Sequence, residues 1–271
     1  MIVIVSISEF LPVLKMNDRT TEAVKRIAEE IQIAGVRESG VGMVHASLRA
    51  LGDIPGGAET VIKALRLALG DQGTLLMPAL SYEIVTPERP EFDILHTPSN
   101  VGMLAEVFRK QSDTIRSFHP THSVCGAGLL AKTILANHCR DNTPCGQYSP
   151  FRYLHEYNGQ VLMLGCGLKP NTCMHAIEET INPPYLFGAP LIYRLINEKG
   201  EVFEKEYIQH GFRGWLQRYD RISGLLSDAG IRNAVVHTGI VQVIDAKMLW
   251  DVVTATMQRD PFYFVDQVSN T

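Results

Sequence analysis

The sequence lacks any block of lysine and arginine residues, and its formal net charge is −4 with a pI near 6.1. Proteins that bind nucleic acid usually carry a concentrated basic surface, so this composition argues against nucleic acid as the main partner. A mildly acidic protein tolerates a cationic substrate better than an anionic one. The composition is therefore compatible with a cationic substrate.

Paired cysteines are also lacking. Five cysteines are present, an odd number, and no two of them stand in C-x-x-C spacing: Cys125, Cys139, Cys145, Cys166 and Cys173. A secreted disulfide scaffold would have an even number of cysteines in a short chain, and a thiol redox motif would have the C-x-x-C pair. The pattern therefore predicts reduced thiols and a cytoplasmic protein.

The N-terminus has little of the pattern expected for a signal peptide or a membrane anchor. Residues 1–11 are apolar, but no basic residue precedes them and Glu9 interrupts the run. A membrane-spanning helix needs about 20 apolar residues, and a signal peptide has basic residues first. We expect no membrane partner. Met16 is an alternative start, so residues 1–15 are interpreted as a possible N-terminal extension and residues 16–271 as the domain.

The sequence does contain a large apolar fraction, arranged in strand and helix patterns. With 45% hydrophobic residues over 271 positions, the chain can bury a large core. Buried strands are predicted at residues 41–48 and 73–78, and the helix between them ends at Gly70. This strand, loop, helix and strand unit is typical of α/β proteins. No linker separates independent domains, so one large domain is expected.

Other periodic segments predict the remaining elements. Helices are predicted over residues 21–34, 97–110, 129–137, 150–157, 215–228 and 246–259, and strands over 160–165, 191–196, 202–208, 234–237 and 240–244. The strands on either side of residues 197–200 read as an antiparallel hairpin. Residues 79–98, which hold three prolines, are predicted to form a long loop over the functional face.

The loop after the first strand contains three glycines, Gly52, Gly56 and Gly57, directly before a helix. Glycines in this position let backbone amides approach a ligand closely, and His45 and Ser47 add donors from the end of the strand. Such a loop suits a phosphate or pyrophosphate group. The spacing matches neither a Walker loop nor G-x-G-x-x-G, so a tight turn with no ligand is the simpler alternative.

The most informative stretch is residues 170–179, which follow the strand predicted over 160–165. Asn171 or Thr172 can cap a helix there, and this places His175 and Glu178 three residues apart on one helix face. A carboxylate bonded to one imidazole nitrogen stabilises the imidazolium and leaves the other nitrogen free to accept a proton. The pair is therefore a candidate general base with its orienting carboxylate. A solvated polar face is the alternative.

A second polar cluster, residues 115–124, contains His119 and His122. Together with His175 and Glu178, these histidines form a conceivable metal-ligand set for a hydrolase. Pro120 breaks any helix that would hold both rings on one face, which argues against it. We expect no metal.

Taken together, these segments resemble the aminoglycoside 3-N-acetyltransferase family, acetyl-coenzyme A dependent enzymes that are not built on the GNAT fold. The similarity covers roughly residues 21–266. It rests on the order and spacing of the following positions: His45–Leu48, Leu51, Gly52, Gly56, Gly57, Val61, Ala64, Leu65, Gly73–Pro78, Thr97–Ser99, Gly102, Glu106, Arg116, Ser117, His119, Pro120, Ser123, Gly146, Ser149, Pro150, Asn171, Thr172, His175 and Glu178.

The resemblance implies an α/β domain with a central mixed sheet flanked by helices, in which coenzyme A lies in a tunnel. It assigns catalysis to His175 and Glu178, in agreement with the reading of the residues themselves. It further implies that two groups line the coenzyme: His45, Ser47, Leu48, Gly56 and Gly57 from the glycine loop, and Ser117, His119 and Ser123 from the second cluster. For binding the amine substrate, the candidates are Glu83, Asp93 and Glu179.

The implied reaction moves an acetyl group from acetyl-CoA to an amine, foremost the 3-amino group of a 2-deoxystreptamine aminoglycoside. Direct transfer with His175 as base is favoured over an acyl-enzyme on Cys173, because residues two apart on a helix face different sides. A monomer or homodimer is expected. The alternatives are an acyltransferase of the same fold acting on another amino metabolite, a coenzyme-binding protein without catalysis, and the metal-dependent hydrolase.

Overall fold

The computed structural model describes residues 18–268, so Met16 and the possible extension over residues 1–15 lie outside the described part. The described helices are α1 Asp18–Ile33, α2 Gly57–Leu69, α3 Met103–Arg109, α4 Ala131–Leu135, α5 Pro150–Glu156, α6 Cys173–Ile181 and α7 Ala246–Arg259. The strands are β1 Val41–Ala46, β2 Thr74–Pro78, β3 Glu91–Asp93, β4 Ile115–Arg116, β5 Val124–Gly128, β6 Gln160–Leu164, β7 Phe187–Ile196, β8 Val202–His210, β9 Trp215–Gln217, β10 Ile231–Val236, β11 Gly239–Asp245 and β12 Val265–Gln267.

A seven-stranded mixed sheet forms the centre of the fold, in the order β10-β11-β6-β1-β2-β5-β4. Strand β1 pairs in parallel with both β2 and β6, and the outer strands pair antiparallel. This confirms the expected mixed sheet and the strand, loop, helix and strand unit that contains β1, α2 and β2. The three parallel strands are buried almost throughout, which explains their continuous apolar sequences.

Helices cover both faces of this sheet. Apolar residues of α1, α2 and α3 form one core cluster, and those of α4, α5, α6 and α7 form the other. Successive side chains of a strand point to opposite faces, so Met43 joins one cluster and Val44 the other. The predicted arrangement of a sheet flanked by helices is therefore confirmed.

A smaller three-stranded sheet, β3-β7-β8, stands apart from the central one. Strands β7 and β8 form the antiparallel hairpin predicted around residues 197–200, with Tyr193 opposite Lys205. Strand β3 lies inside the stretch 79–98 that was expected to be loop throughout. It pairs with β7, a partner about 100 residues later, so local sequence gave no sign of it.

The prediction of a helix over residues 215–228 is wrong. Trp215–Gln217 is strand β9, which pairs with β12, and Tyr219–Gly224 is a short 3₁₀ helix. The helix predicted over 97–110 is also shorter than expected, because it starts only at Met103, after Gly102 with a φ of 112°. By contrast, α5 begins with Pro150 behind the Ser149 cap, as predicted.

The helices of the described residues do not include one that combines the length and apolar character needed to span a bilayer. Within residues 18–268 the longest helix is α1, which has 16 residues and a strongly polar outer face.

Candidate active site

The carboxyl ends of β1, β2 and β6 meet at one edge of the central sheet, where ligands of open α/β sheets usually bind. Helix α6 starts after β6 and carries His175 in its first turn. Strand β5 begins opposite Pro78 at the end of β2, and this brings the turn that contains His122 to the same edge. Two separate segments thus deliver polar side chains to one place.

His175 and Glu178 form the pair that their spacing predicts. Nδ1 of His175 lies 3.0 Å from Oε2 of Glu178. The carboxylate has no exposed surface, and His175 is 9% exposed. Because the carboxylate holds Nδ1, the second ring nitrogen of His175 is the one available to a substrate.

Two tyrosines complete the surroundings of Glu178, and sequence reasoning identified neither of them. The hydroxyl of Tyr185 donates to Oε1 at 2.9 Å, and that of Tyr219 donates to Oε2 at 2.6 Å. Burial and the adjacent carboxylate raise the pKa of both phenols, so both remain protonated donors. Glu178 therefore accepts from three donors and meets the requirement that a buried charge be fully hydrogen-bonded.

Two further histidines surround His175. The ring centroids of His122 and His210 lie 6.0 and 4.7 Å from that of His175, and 5.1 Å from each other. Burial lowers the pKa of His122 and of His210 well below the usual value, with additional contributions from the neighbouring imidazoles. Both rings are therefore neutral near pH 7. His210 lies at the end of β8, 35 positions from His175, and no motif pointed to it.

Glu179 forms a second pair of carboxylate and histidine beside the first. Its Oε1 lies 2.8 Å from Nε2 of His210 and accepts from the amide of Cys145 at 2.7 Å, and its Oε2 accepts from Thr143 at 2.6 Å. Burial raises the pKa of Glu179 to about 7, against the opposing effect of these hydrogen bonds. The carboxylate was a candidate for substrate binding. The structure places it behind His210, with its oxygens engaged by protein donors.

A cavity of about 520 Å³ opens in front of His175. Its wall includes His45, His122, His210 and Tyr219, together with apolar side chains from β1, β2 and α3. A volume of this size can enclose a drug-sized ligand or part of a larger one. His175 belongs to the same wall, so four histidines and Tyr219 contribute polar groups to it.

His45, a predicted coenzyme residue, lines this cavity. Its Nε2 accepts a hydrogen bond from the amide of Thr172 at 3.1 Å, which fixes the start of α6 against the end of β1. Burial, and secondarily the nearby His175, lowers the pKa of His45 to about 3. The ring is therefore neutral and carries its proton on Nδ1.

The other predicted residues of the glycine loop lie outside the cavity wall. Ser47 precedes a short 3₁₀ helix, Leu48–Leu51, and its carbonyl accepts from Ala50. Gly56 and Gly57 lead into α2 with φ angles of 78° and 54°. A side chain at Gly56 would meet Oγ1 of Thr60 at 2.5 Å, so the glycine is required by the turn itself. The loop has a structural reason for its glycines, whether or not it also binds a ligand.

The second cluster is similarly engaged in structural contacts. Ser117 bonds to Nδ1 of His138 and accepts from Val124, and Ser123 donates to the carbonyl of Ala79. Nδ1 of His119 accepts from the amides of Thr121 and His122. Ser117, His119 and Ser123 are buried and do not contribute to the cavity wall.

The remaining substrate candidates lie at different places. Glu83 is exposed and adjoins Tyr82 of the cavity wall. Asp93 caps a turn by accepting from the amides of Leu95 and His96, at 2.8 and 2.9 Å. Of these two acidic residues, only Glu83 directly follows or precedes a residue that lines the cavity.

The proposed metal-ligand set of His119, His122, His175 and Glu178 is not brought together as a set. Among the residues from 18 to 268, the histidines whose ring nitrogens converge are His122, His175 and His210. Glu178 lies behind His175 on its Nδ1 side. The hydrolase alternative therefore loses two of its four proposed ligands.

Comparisons with known proteins identify the family of this chain. The model of the aminoglycoside 3-N-acetyltransferase family matches residues 43–258. The YokD protein of Bacillus subtilis (strain 168), described as an aminoglycoside N(3')-acetyltransferase-like protein, is 30% identical over 209 residues, which cover 69% of this chain and 75% of YokD.

Solved structures of the same group share the fold. A mutant of aminoglycoside acetyltransferase AAC(3)-IVa in complex with gentamicin superposes with a TM-score of 0.77 at 27% identity, covering 91% of this chain and 90% of that one. AAC-IIIb, solved as a binary complex with CoASH, superposes with a TM-score of 0.76 at 24% identity, covering 86% and 95%. The chain therefore belongs to the aminoglycoside 3-N-acetyltransferase family.

Proposed function

We propose that this protein transfers the acetyl group of acetyl-CoA to an amine, directly and with His175 as the general base. The observation that carries the proposal is the fixed orientation of His175: Glu178 holds Nδ1, and the ring lines the cavity. General base catalysis of this kind contributes about 100- to 10,000-fold to a rate. Membership in an acetyltransferase family supports the same reaction.

In the proposed reaction, the amine nitrogen attacks the thioester carbonyl and forms the C–N bond. His175 accepts the proton that the amine loses, through the ring nitrogen that Glu178 leaves free. The C–S bond then breaks, and the leaving thiolate takes a proton from the imidazolium, so that the products are the amide and free coenzyme A. Glu178 stabilises the imidazolium by charge and keeps its tautomer fixed.

An acetyl-enzyme on cysteine is not needed for this reaction, and the positions of the thiols do not favour one. Cys173 is 4% exposed and packs in the core cluster with α4, α5 and α7. Burial raises the pKa of its thiol, so almost no thiolate is present at neutral pH. Direct transfer within a ternary complex is the simpler reaction.

For the acceptor, the family points to the 3-amino group of a 2-deoxystreptamine aminoglycoside. Relatives are described as aminoglycoside N(3)-acetyltransferases, and the AAC(3)-IVa mutant was solved with gentamicin. The net charge of −4 is compatible with a cationic molecule. Of the three acidic candidates, Glu83 is the one whose neighbour in the chain, Tyr82, lines the cavity, so it stays the candidate for contact with the acceptor.

One observation favours a second acceptor class. None of the residues that line the cavity, all of them within the described range, is acidic, and one of them is Lys169. A polycationic amino sugar is usually bound by carboxylates, because its ammonium groups need compensation when water is removed. An amine with fewer positive charges, such as another amino metabolite, fits this wall with a lower desolvation cost.

A thiol-release assay with acetyl-CoA and a panel of amines tests both versions. The panel contains deoxystreptamine aminoglycosides, monoamino sugars and simple apolar amines, and His175→Ala is measured beside the wild type. Release that depends on both the amine and His175 supports acetyl transfer, and the preferred amine identifies the acceptor class. If calorimetry detects no acetyl-CoA binding at millimolar concentration, the proposal fails at its first step.

A further inference from the structure

Three of the four histidines in the cavity wall come from separate segments, and their ring nitrogens converge. His122 lies in the turn before β5, His175 on α6 and His210 at the end of β8. Each offers one ring nitrogen, and these three nitrogens lie within 4.8 Å of one another. Acetyl transfer as proposed uses only one of these rings, so the other two need an explanation.

The hydrogen bonds of the three rings follow one pattern. In each ring, one nitrogen is engaged by a side-chain oxygen: Nδ1 of His122 by Thr121 at 2.9 Å, Nδ1 of His175 by Glu178 at 3.0 Å, and Nε2 of His210 by Glu179 at 2.8 Å. The opposite nitrogen of His210, Nδ1, is buried and has no hydrogen-bond partner. Histidines that ligate metals typically have this arrangement, in which an oxygen fixes the tautomer and the far nitrogen faces the ion.

Carboxyl groups also support two of the three rings. Glu178 bonds to His175 and Glu179 to His210, and a carboxyl group in this position makes an imidazole a better metal ligand. Lys169 is the only lysine or arginine among the described residues that line the cavity. A ring nitrogen needs a free lone pair to bind a metal, and Nδ1 of His210 offers one because Nε2 of the same ring bonds to Glu179.

We propose that His122, His175 and His210 form a binding site for one divalent transition-metal ion, with Zn²⁺ as the representative. Imidazole nitrogens are ligands that Zn²⁺, Ni²⁺ and Cu²⁺ all accept. A tetrahedral Zn²⁺ with bonds of about 2.0 Å brings its nitrogens to roughly 3.4 Å from one another, so the rings must draw together from their present spacing of up to 4.8 Å when the ion binds.

The site has a consequence for catalysis, which rests on the proposed function. A metal bound to His175 occupies the nitrogen that would accept the proton of the amine. The ion is therefore an inhibitor of acetyl transfer and not a cofactor for it. Free Zn²⁺ should slow turnover, and a chelator should restore it.

Binding is tested directly by calorimetry with Zn²⁺ on chelator-treated full-length protein, and by the absorption spectrum with Co²⁺, which is strong and visible for a tetrahedral site. The wild type is expected to bind one ion with micromolar or tighter affinity. His122→Gln and His210→Gln should each weaken it by at least about 10- to 100-fold. His155→Gln, which changes a histidine on α5 outside the cavity wall, is the matched control and should bind as the wild type does.

Thermal melting shows whether each variant is folded. If one variant is not folded, the Co²⁺ spectrum of the wild type still tests whether the metal site exists. The absence of stoichiometric binding to the wild type overturns the site, as does unchanged binding in both cavity variants. Normal turnover with Zn²⁺ bound overturns the inhibition. A protein that binds Zn²⁺ through these histidines but never releases thiol from acetyl-CoA keeps the metal site and refutes the acetyltransferase.

Discussion

The hydroxyl of Tyr219 donates to Oε2 of Glu178 at 2.6 Å, from a residue 41 positions further along the chain. The hydroxyl oxygen of Tyr219 also lies 3.0 Å from Nδ1 of His175, so the tyrosine touches both members of the pair. Tyr185 donates to the other carboxylate oxygen and, among the contacts described, does not reach Nδ1. The two tyrosines therefore offer a comparison between supporting the carboxylate and positioning the imidazole.

Tyr219→Phe is expected to lower both stability and turnover. Loss of a donor to a buried carboxylate typically costs about 1–3 kcal/mol in the free energy of unfolding. We expect turnover to fall about 10-fold with little change in the KM for acetyl-CoA, because the ring of His175 is positioned less well and not removed. Urea unfolding and steady-state kinetics measure the two effects.

Tyr185→Phe is the matched control for this prediction. It removes a donor to Oε1 of Glu178 and should cost a similar amount of stability, but turnover should fall less than in Tyr219→Phe. Equal losses of turnover would mean that the contact between Tyr219 and His175 has no role of its own.

His175→Ala and Glu178→Gln should have unequal effects on turnover. Removal of the base is expected to lower turnover by two to four orders of magnitude, about 3 to 5 kcal/mol of barrier, with nearly unchanged affinity for acetyl-CoA. Glu178→Gln keeps the shape but loses the charge that stabilises the imidazolium, so turnover should fall less. The variant should also be less stable. In the wild type each carboxylate oxygen accepts a hydrogen bond from one tyrosine, whereas the amide nitrogen of glutamine cannot accept one, so either Tyr185 or Tyr219 loses its acceptor.

Specific activity per folded protein, with coenzyme affinity from calorimetry, distinguishes the two roles. A purely structural pair would behave differently: both changes would lower the melting temperature and spare the activity of the folded fraction. A stable and fully active His175→Ala protein would refute the role of His175 as the general base.

The pair of His175 and Glu178 could be predicted because its geometry is local. Two residues three apart on a helix share a face wherever the helix lies, and α6 begins within two residues of the expected cap. Tyr219 and His210 could not be found in the same way. They reach the site through tertiary folding over 41 and 31 positions, and neither stands in a motif with the residue it contacts.

The fold shows the same division. Apolar runs and helical periods predicted β1, α2, β2 and α7, since burial imposes those patterns on neighbouring residues. The helix prediction for residues 215–228 failed because apolar side chains such as Leu216 and Tyr219 recur with a helix-like spacing. Their strand partner, β12, lies about 50 residues later, and pairing with it prevailed over the local preference.

Cys173→Ala and Cys166→Ala test whether the acetyl group ever rests on the enzyme. Cys173 is in the core, but Cys166 lines the cavity, which makes it the sterically better candidate. Burial raises the pKa of Cys166 to about 11, so it is a poor nucleophile near neutrality.

We expect both cysteine variants to keep wild-type turnover within about 2-fold. Mass spectrometry of protein quenched during turnover should show no acetyl adduct. Loss of activity in Cys166→Ala together with an adduct on that residue would replace direct transfer by a two-step mechanism.

Glu179 should make stability depend on pH. Burial raises its pKa from the ordinary 4.5 to about 7, so the folded state binds a proton that the unfolded state releases between these values. The favourable contribution is complete below about pH 4.5 and is lost as the pH rises to about 7, by no more than roughly 3 kcal/mol. The amide in Glu179→Gln cannot titrate, so the difference in unfolding free energy between wild type and variant should shift in favour of the variant across this interval. Urea unfolding of both proteins at a series of pH values measures it. A constant difference would show that Glu179 keeps an ordinary pKa in the folded protein, and that His210 and the two donors to its oxygens, Thr143 and Cys145, compensate fully for its burial.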